Sequence, residues 1–147
     1  MVTTAENKFQ LDTNEWKNVL PEAACANRPK DIPSGDDTFT VQRSPKQAEL
    51  MKLMPALDKA HVSKATRQAA VWIITDNADY NDLGILVVSQ FGFGGSRAIN
   101  ENETAQAIKI VNDAGIDITH KMIWKDKQIV LNGLKDTDLR NWLKAKK

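Results

Sequence analysis

The segment KATRQAAVWIITDN, residues 64–77, predicts a helix at the centre of the molecule. Its middle part, Ala69 to Ile74, is apolar on every side of a helix. A helix of this kind is surrounded by protein, because a helix on the surface keeps one polar face. The hydroxyl of Ser63 is placed to cap the first turn. We therefore expect a buried helix around which the rest of the chain packs.

Helical spacing continues on the N-terminal side of this segment. Apolar residues recur there at steps of three and four, which places them on one face of a helix: Leu50, Leu53, Met54 and Leu57. This helix is predicted to begin at Pro45, with Ser44 as its N-cap. Pro55 is predicted to kink or end it, because proline lacks the main-chain N–H that a helix interior needs.

Three further helices are predicted on the C-terminal side. The first begins at about Asp79 and runs to Phe91. The second begins at about Asn102, and Gly115 ends it as a left-handed cap. Asp136 caps the last helix. The inner side of that last helix is expected to consist of Leu139, Trp142 and Leu143.

Strand patterns in the sequence are short and few. The segment DDTFTVQ, residues 36–42, is rich in β-branched and aromatic residues, which favour a strand. The segment KQIVLNG, residues 127–133, has the pattern of a strand followed by a turn. The predicted fold is therefore mainly α: a compact helical domain with a minor β component.

The length of the chain predicts one domain, residues 1–147, because single domains usually have about 100 to 200 residues. Residues 1–35 are predicted to be extended or looped, and residues 44–147 to form a helical core. Prolines in the first part disfavour helix in the residues before them: Pro21, Pro29 and Pro33. Trp16 and Val19–Leu20 are expected to anchor this part to the core.

Composition excludes several classes of function. The 20 lysines and arginines nearly balance the 19 acidic residues, and a net charge of +1 does not favour nucleic acid as a partner. A single cysteine, Cys25, excludes an intrachain disulfide and a cysteine-based zinc site. No apolar run is long enough for a membrane span, and the first residues lack the pattern of a signal peptide.

Two segments that invite a ligand hypothesis have the wrong spacing. In the acidic run TDNADYND, residues 75–82, a calcium loop beginning at Asp76 would need an oxygen ligand at Ala78 and a glycine at Asn81. This run is interpreted as a cap and turn between helices. GFGGSR, residues 92–97, has neither the lysine of a P-loop nor the glycine spacing of a dinucleotide site, so a loop is predicted. No metal and no cofactor is expected.

A more specific signal is the pair Cys25 and Gln68. Gln68 lies along an apolar stripe of the central helix, which consists of Ala65, Ala69, Trp72 and Ile73. A buried carboxamide without a partner costs about 1–3 kcal/mol, so Gln68 needs a hydrogen-bonding partner or a reaction. The loop that carries Cys25 can supply the hydrogen bonds.

The alternative is a covalent bond between the two side chains. The sulfur of Cys25 can attack the side-chain carbonyl of Gln68 and expel ammonia, which leaves a thioester. Such a bond persists only where water is excluded, and Trp72, one turn beyond Gln68, is placed to shield it.

At these residues the sequence resembles the thioester domains of bacterial surface adhesins. Those domains carry a cysteine with a proline downstream, and a later glutamine in a motif of the form Gln-x-Ala-Ile-Trp. Here the first motif is ACAN, residues 24–27, and the second is RQAAVW, residues 67–72. Ala24 and Arg67 stand where the family usually has a large apolar residue and a small residue.

The resemblance implies covalent capture. A lysine amine or a hydroxyl group of a target would attack the acyl carbon of Gln68, and the thiolate of Cys25 would leave. The supporting residues are Trp72, Asn27 and His61. Each domain would react once, so the resemblance implies an adhesion-type binding domain rather than an enzyme. It also implies a secreted or cell-surface protein whose partner is a protein or surface ligand bearing a nucleophile.

The residues by themselves leave two other functions open. One is a non-covalent helical module for protein interaction, in which Cys25 and Gln68 are ordinary packing and hydrogen-bonding residues. The other is a cysteine-dependent hydrolase, in which His61 or His120 serves as the base for Cys25.

Overall fold

A computed structural model of the protein describes residues 1–4, 8, 10–20, 22–26, 28, 36–38, 48–84 and 97–146. Within these residues the fold is mainly α with a minor β component, as predicted. The strands are β1 (Val2–Thr3) and β2 (Ala23–Ala24). The α-helices are α1 (Ala48–Lys59), α2 (Lys64–Thr75), α3 (Tyr80–Gly84), α4 (Glu101–Asp113), α5 (Met122–Lys125), α6 (Lys127–Gly133) and α7 (Thr137–Ala145), and a 3₁₀ helix, Ile118–His120, precedes α5. None of the helices in the described ranges has the length and apolar character needed to cross a membrane.

Helix α2 lies at the centre of the core, as the sequence predicts. Every residue from Ala69 to Ile74 is buried, including those on opposite sides of the helix. Helix α4 packs along α2 and also contacts α1, α6 and α7. The buried apolar residues of the described chain form a cluster to which all five of these helices contribute. Burial of each large aliphatic side chain contributes about 1.5–3 kcal/mol, so this cluster is the main source of stability.

Capping interactions determine where the two central helices begin. Ser63 accepts a hydrogen bond from the main-chain N–H of Thr66 and so caps α2, as predicted. Asn100 and Glu103 form a reciprocal capping box at the start of α4. The Ser63 hydroxyl also donates to the carboxylate of Glu103 at 2.8 Å, which joins the two helix starts. Gly115 follows α4 with a φ of +73°, the left-handed conformation predicted for it.

The predicted strand and turn at residues 127–133 is wrong, because these residues form helix α6. Val130 and Leu134, one helical turn apart, are fully buried, whereas Ile129 has 48% of its surface exposed. A short apolar run is compatible with either a strand or a buried helix. The contacts of α6 with α4 and α7 require a helical face here.

The prediction that Pro55 could end the first helix is also wrong, since α1 continues beyond it to Lys59. Proline removes the hydrogen bond to the carbonyl four residues earlier, which belongs to Met51. Both Met51 and Pro55 are exposed, so the missing hydrogen bond lies on the side of α1 that faces water. The opposite side carries Leu50, Leu53 and Leu57, all buried.

The N-terminal residues form an antiparallel strand pair that packs on α2. Val2 pairs with Ala24, and β2 contacts α2. The expectation that Trp16 and Leu20 anchor this part is wrong, because 96% and 97% of their surfaces are exposed. Ala24, which is 3% exposed, makes the apolar contact instead.

Other predicted features lie wholly or partly outside the described residues. Residues 36–38 of the predicted strand 36–42 are not in a strand, and the rest of that segment is outside. The predicted helix start at Ser44–Pro45 is outside as well, and α1 is described from Ala48.

The helix predicted from Asp79 to Phe91 is described only as far as Gly84, where α3 ends. Leu83 of α3 is fully buried. Of the predicted loop GFGGSR, only Arg97 is among the described residues.

A polar cluster joins α3 to the start of α4. The Tyr80 hydroxyl donates to the carboxylate of Glu101, and the guanidinium of Arg97 lies 3.4 Å from the centre of the Tyr80 ring. Gly133 makes room for the cluster, since a Cβ at that position would lie 2.7 Å from Cγ of Glu101. The hydrogen bond from Tyr80 lowers the pKa of Glu101 below its ordinary value. Burial raises the pKa of Tyr80.

Replacement of Tyr80 by Phe is expected to reduce stability at neutral pH by about 1–2 kcal/mol, because Glu101 loses its hydrogen-bond donor. The folded-state pKa of Glu101 is lowered. The stabilisation that the Glu101 carboxylate contributes is therefore present above its unfolded-state pKa. It is lost as the pH falls through its folded-state pKa. Urea unfolding at a series of pH values should show the difference between wild type and Tyr80→Phe shrinking in acid. A difference that stays constant with pH would contradict this role for Tyr80.

Candidate functional site

The structure brings Cys25 and Gln68 together although 43 positions separate them in the sequence. The main-chain N–H of Cys25 donates to Oε1 of Gln68 at 2.9 Å. The Nε2 group of Gln68 donates to the main-chain carbonyl of Cys25 at 2.8 Å. The carboxamide thus pairs with residue 25 as the main chain of a neighbouring strand would. The hydrogen bonds that Gln68 needs are supplied by the segment that carries Cys25, as the sequence analysis allowed.

Both members of the pair are half-buried. Gln68 projects from the second turn of α2, whose following residues enter the core. Cys25 directly follows β2, and both Cys25 and Ala26 pack against the core cluster at their apolar surfaces. The pair therefore lies at the edge of the core, between buried side chains and the surface.

Arg67 holds the elements around the pair in place. Its guanidinium donates to three main-chain carbonyls: those of Thr4 at 2.8 Å, Leu57 at 2.7 Å and Ala60 at 2.8 Å. The side chain is only 13% exposed, and it also lies 3.5 Å from the carboxylate of Glu22. One residue thus joins the N-terminal strand pair and the end of α1 to α2. Sequence reasoning missed this role, because main-chain acceptors in other elements leave no signal in the sequence.

The segment after Cys25 is held by Arg28. Its main-chain N–H donates to Oδ1 of Asp76 at 3.0 Å, and its guanidinium lies 2.8 Å from the carboxylate of Asp82. The Thr75 hydroxyl donates to the other oxygen of Asp76 at 2.6 Å. Arg67 and Arg28 therefore fix the chain on both sides of Cys25 against α2 and the residues that follow it.

The acidic run at residues 75–82 forms the cap and turn predicted for it. Asp76 is the C-cap residue of α2, and Asn77 has a φ of +50°, which asparagine tolerates in a turn. The side chain of Asp79 accepts from the main-chain N–H of Asp82 at 2.8 Å. In the described ranges, no group of three or more His, Cys, Asp and Glu side chains could hold a metal ion.

Trp72 lies one helical turn after Gln68 and is only 5% exposed. Its indole Nε1 has no hydrogen-bond partner within the described part of the chain. A buried indole N–H normally finds a partner, because leaving it unpaired costs free energy. The sequence alone suggests only a shielding role for Trp72.

The other predicted site residues are exposed or lie outside the described residues. Asn27 lies outside the described residues. His61 is exposed, in the link between α1 and α2. The side chain of His120 is 86% exposed and lies 3.2 Å from the carboxylate of Asp117.

A surface groove of about 370 Å³ lies beside Arg67. Residues at the two ends of β1, residues at the start of β2 and the first turn of α2 line it. Ala23 and Arg67 on its wall stand close in sequence to Cys25 and Gln68, respectively. Lys64 and Glu22 place charges of both signs in the groove.

No protein-family model matches this chain, and no similar curated protein or solved structure was found. The function is therefore argued from the geometry around Cys25 and Gln68.

Proposed function

We propose that the protein captures a target covalently, through a thioester between Sγ of Cys25 and the side-chain acyl carbon of Gln68. The observation that carries the proposal is the pair of hydrogen bonds that holds the Gln68 carboxamide against Cys25. A carboxamide needs no particular residue for hydrogen bonding, yet this one is paired with the single cysteine of the chain. The resemblance of both motifs to adhesin thioester domains supports the same chemistry.

Formation of the bond follows from the groups present. The sulfur of Cys25 attacks the acyl carbon of Gln68, a C–S bond forms, and the C–N bond breaks. The amide nitrogen leaves as ammonia after it takes the proton of the thiol. The main-chain N–H of Cys25 lies 2.9 Å from Oε1, so it is placed to stabilise the negative charge that develops on this oxygen.

Capture reverses the roles of the groups. A primary amine or hydroxyl of the target attacks the acyl carbon, the C–S bond breaks, and the thiol of Cys25 recovers a proton from the nucleophile. An amide or ester then joins the target to Gln68. The position of the pair at the edge of the core suits this reaction, because the bond must be protected from bulk water and still be reached from the surface.

This function is that of a single-turnover binding domain on the cell surface or in the extracellular space. Its partner is a protein or surface ligand with an accessible amine or hydroxyl. The groove is lined by Arg67, the residue before Gln68, and is the part of the surface from which we expect such a group to approach.

Intact mass of the purified chain tests the proposal. The wild type should be lighter than its sequence by one ammonia, because thioester formation expels it. Methylamine should add one equivalent to the wild type and release a thiol that can then be alkylated. Cys25→Ala and Gln68→Ala should both have their full sequence mass and should not react.

Cys25→Ala is the better matched control, since Gln68 contacts the main chain of residue 25 and not its sulfur in these hydrogen bonds. This variant should keep the stability of the wild-type fold. A wild-type chain of full mass, inert to methylamine and with a thiol that alkylates at once, would refute covalent capture.

The second candidate is a non-covalent interaction module. The observation that favours it is the exposure of Trp16 and Leu20, at 96% and 97%, on the surface of the N-terminal part. Large exposed apolar side chains near one another in sequence are typical of a binding surface. In this case Gln68 only fastens the segment of Cys25 to α2, and every variant at position 25 has full mass and unchanged binding.

A further inference from the structure

We infer that the indole N–H of Trp72 donates a hydrogen bond to the acyl oxygen of Gln68 while the thioester forms and reacts. The inference rests on the proposed thioester and adds to it a residue that activates the carbonyl group. It differs from the shielding role that the sequence suggests for Trp72.

The indole N–H of Trp72 is a buried donor with no acceptor among the described residues. Trp72 is only 5% exposed, and its Nε1 has no hydrogen-bond partner among the residues that the structure describes. A buried donor that is left without an acceptor costs free energy. The state of this group calls for an explanation in terms of a partner that is not seen among the described residues.

The spacing on α2 places Gln68 as that partner. Residues four apart lie on the same face of a helix, and Trp72 follows Gln68 by four positions. Long side chains on a helix lean toward its N-terminus, so each covers the turn before its own Cα. We therefore expect the indole of Trp72 to lean toward the turn that carries Gln68.

The oxygen of Gln68 has the capacity to accept a second hydrogen bond. A carbonyl oxygen has two lone pairs. Among the hydrogen bonds of the described residues, Oε1 accepts one, from the main-chain N–H of Cys25. When the carbonyl carbon becomes tetrahedral, this oxygen becomes an oxyanion, and each aligned donor lowers the barrier. Cys25 and Trp72 would then supply the two donors of an oxyanion site.

Trp72 donates its hydrogen bond during attack of an amine on the acyl carbon of Gln68. The groups already named supply every atom of this reaction. An amine nitrogen forms a bond to the acyl carbon, the C–S bond breaks, and one proton passes from the amine to the sulfur of Cys25. Water can replace the amine, and the product at Gln68 is then a carboxylic acid. Both reactions pass through the same oxyanion, so loss of a donor should slow both.

Shielding and donation predict opposite effects of one substitution, Trp72→Phe. Phenylalanine keeps a large apolar ring over the site but has no N–H. If Trp72 is a donor, methylamine capture and spontaneous hydrolysis of the thioester should both slow, on the order of 100-fold. If Trp72 is only a shield, hydrolysis should stay the same or become faster.

The experiment follows the mass of wild type and Trp72→Phe over time, in buffer alone and with methylamine. The matched control is Thr104→Val on α4, because Thr104 Oγ1 is the other buried side-chain atom without a partner in the described chain. Thr104→Val should leave both rates unchanged. Unchanged or faster hydrolysis in Trp72→Phe would overturn the inference while leaving the thioester itself intact.

Two further outcomes are decisive. If Trp72→Phe does not fold, the indole proton of Trp72 in nitrogen-15-labelled wild type and Cys25→Ala is compared by NMR. A downfield shift in the wild type, with its thioester intact, supports the hydrogen bond, and equal shifts overturn it. A wild-type chain of full mass removes the proposed function and this inference together.

Discussion

Replacement of Arg67 by alanine is expected to lower the free energy of unfolding by at least about 4 kcal/mol, because hydrogen bonds to charged groups contribute about 1.5–3 kcal/mol each and three are lost. The three acceptors belong to Thr4, which directly follows β1, to the last turn of α1 and to the residue after that helix. Alanine leaves these carbonyls without their donor at a site where the arginine side chain was only 13% exposed. A loss of this size is a large part of the total stability of a domain, which is about 5–15 kcal/mol.

Urea unfolding followed by circular dichroism measures this loss. Lys64→Ala is the matched control on the same helix, because Lys64 is exposed and its loss should change stability by less than about 0.5 kcal/mol. Arg67→Lys should lie close to Arg67→Ala, since one ammonium cannot replace a guanidinium that reaches three acceptors. If Arg67→Ala unfolds with the same midpoint as Lys64→Ala, the three hydrogen bonds do not hold the fold together.

Replacement of Ile108 by alanine should cost about 2–5 kcal/mol, the range for removal of a large aliphatic side chain from a packed core. Ile108 is fully buried on α4, the helix that contacts α1, α2, α6 and α7. The cavity would be bounded by several helices, so the structure can collapse around it only in part. We therefore expect a value in the upper half of this range.

The same substitution at Ile129 is the control for Ile108. Ile129 lies on α6 with 48% of its surface exposed, so Ile129→Ala should cost less than about 1 kcal/mol. Chemical denaturation of both variants under the same conditions gives the comparison. Equal losses would mean that Ile108 is not tightly packed in the core.

The elements that could be predicted from the sequence are those determined by local chemistry. The buried helix α2 follows from its apolar pattern, and its start at Ser63 follows from a cap. The left-handed Gly115 and the cap at Asp136 have the same local origin, and the structure contains both. These features depend on residues within one or two turns of each other.

The features that the sequence could not predict depend on distant contacts. The sequence pattern of residues 127–133 fits a strand as well as a helix. These residues are helical because α4 and α7 both pack against them. Trp16 is a large apolar residue of the kind that usually anchors a segment to a core. The strand pair instead packs through the buried Ala24 and through a hydrogen bond from Arg67 to the main chain of Thr4. Pro55 lies within α1 because its missing hydrogen bond falls on the exposed side.

The candidate site also contains one feature that the sequence predicts and one that it does not. The need of Gln68 for a partner could be predicted from its place on an apolar stripe, and the partner is the segment of Cys25. The role of Arg67 could not, because its acceptors are main-chain carbonyls of Thr4, Leu57 and Ala60, which carry no side-chain signature.

The manner in which Gln68 holds position 25 has an evolutionary consequence. Every amino acid except proline presents the same N–H and C=O to the carboxamide, so these two hydrogen bonds exert no selection for sulfur at that position. The proposed reactivity would then depend on the side chain at position 25 and not on these hydrogen bonds. Descendants of a common ancestor could on this basis diverge into reactive and inert forms that share the same architecture.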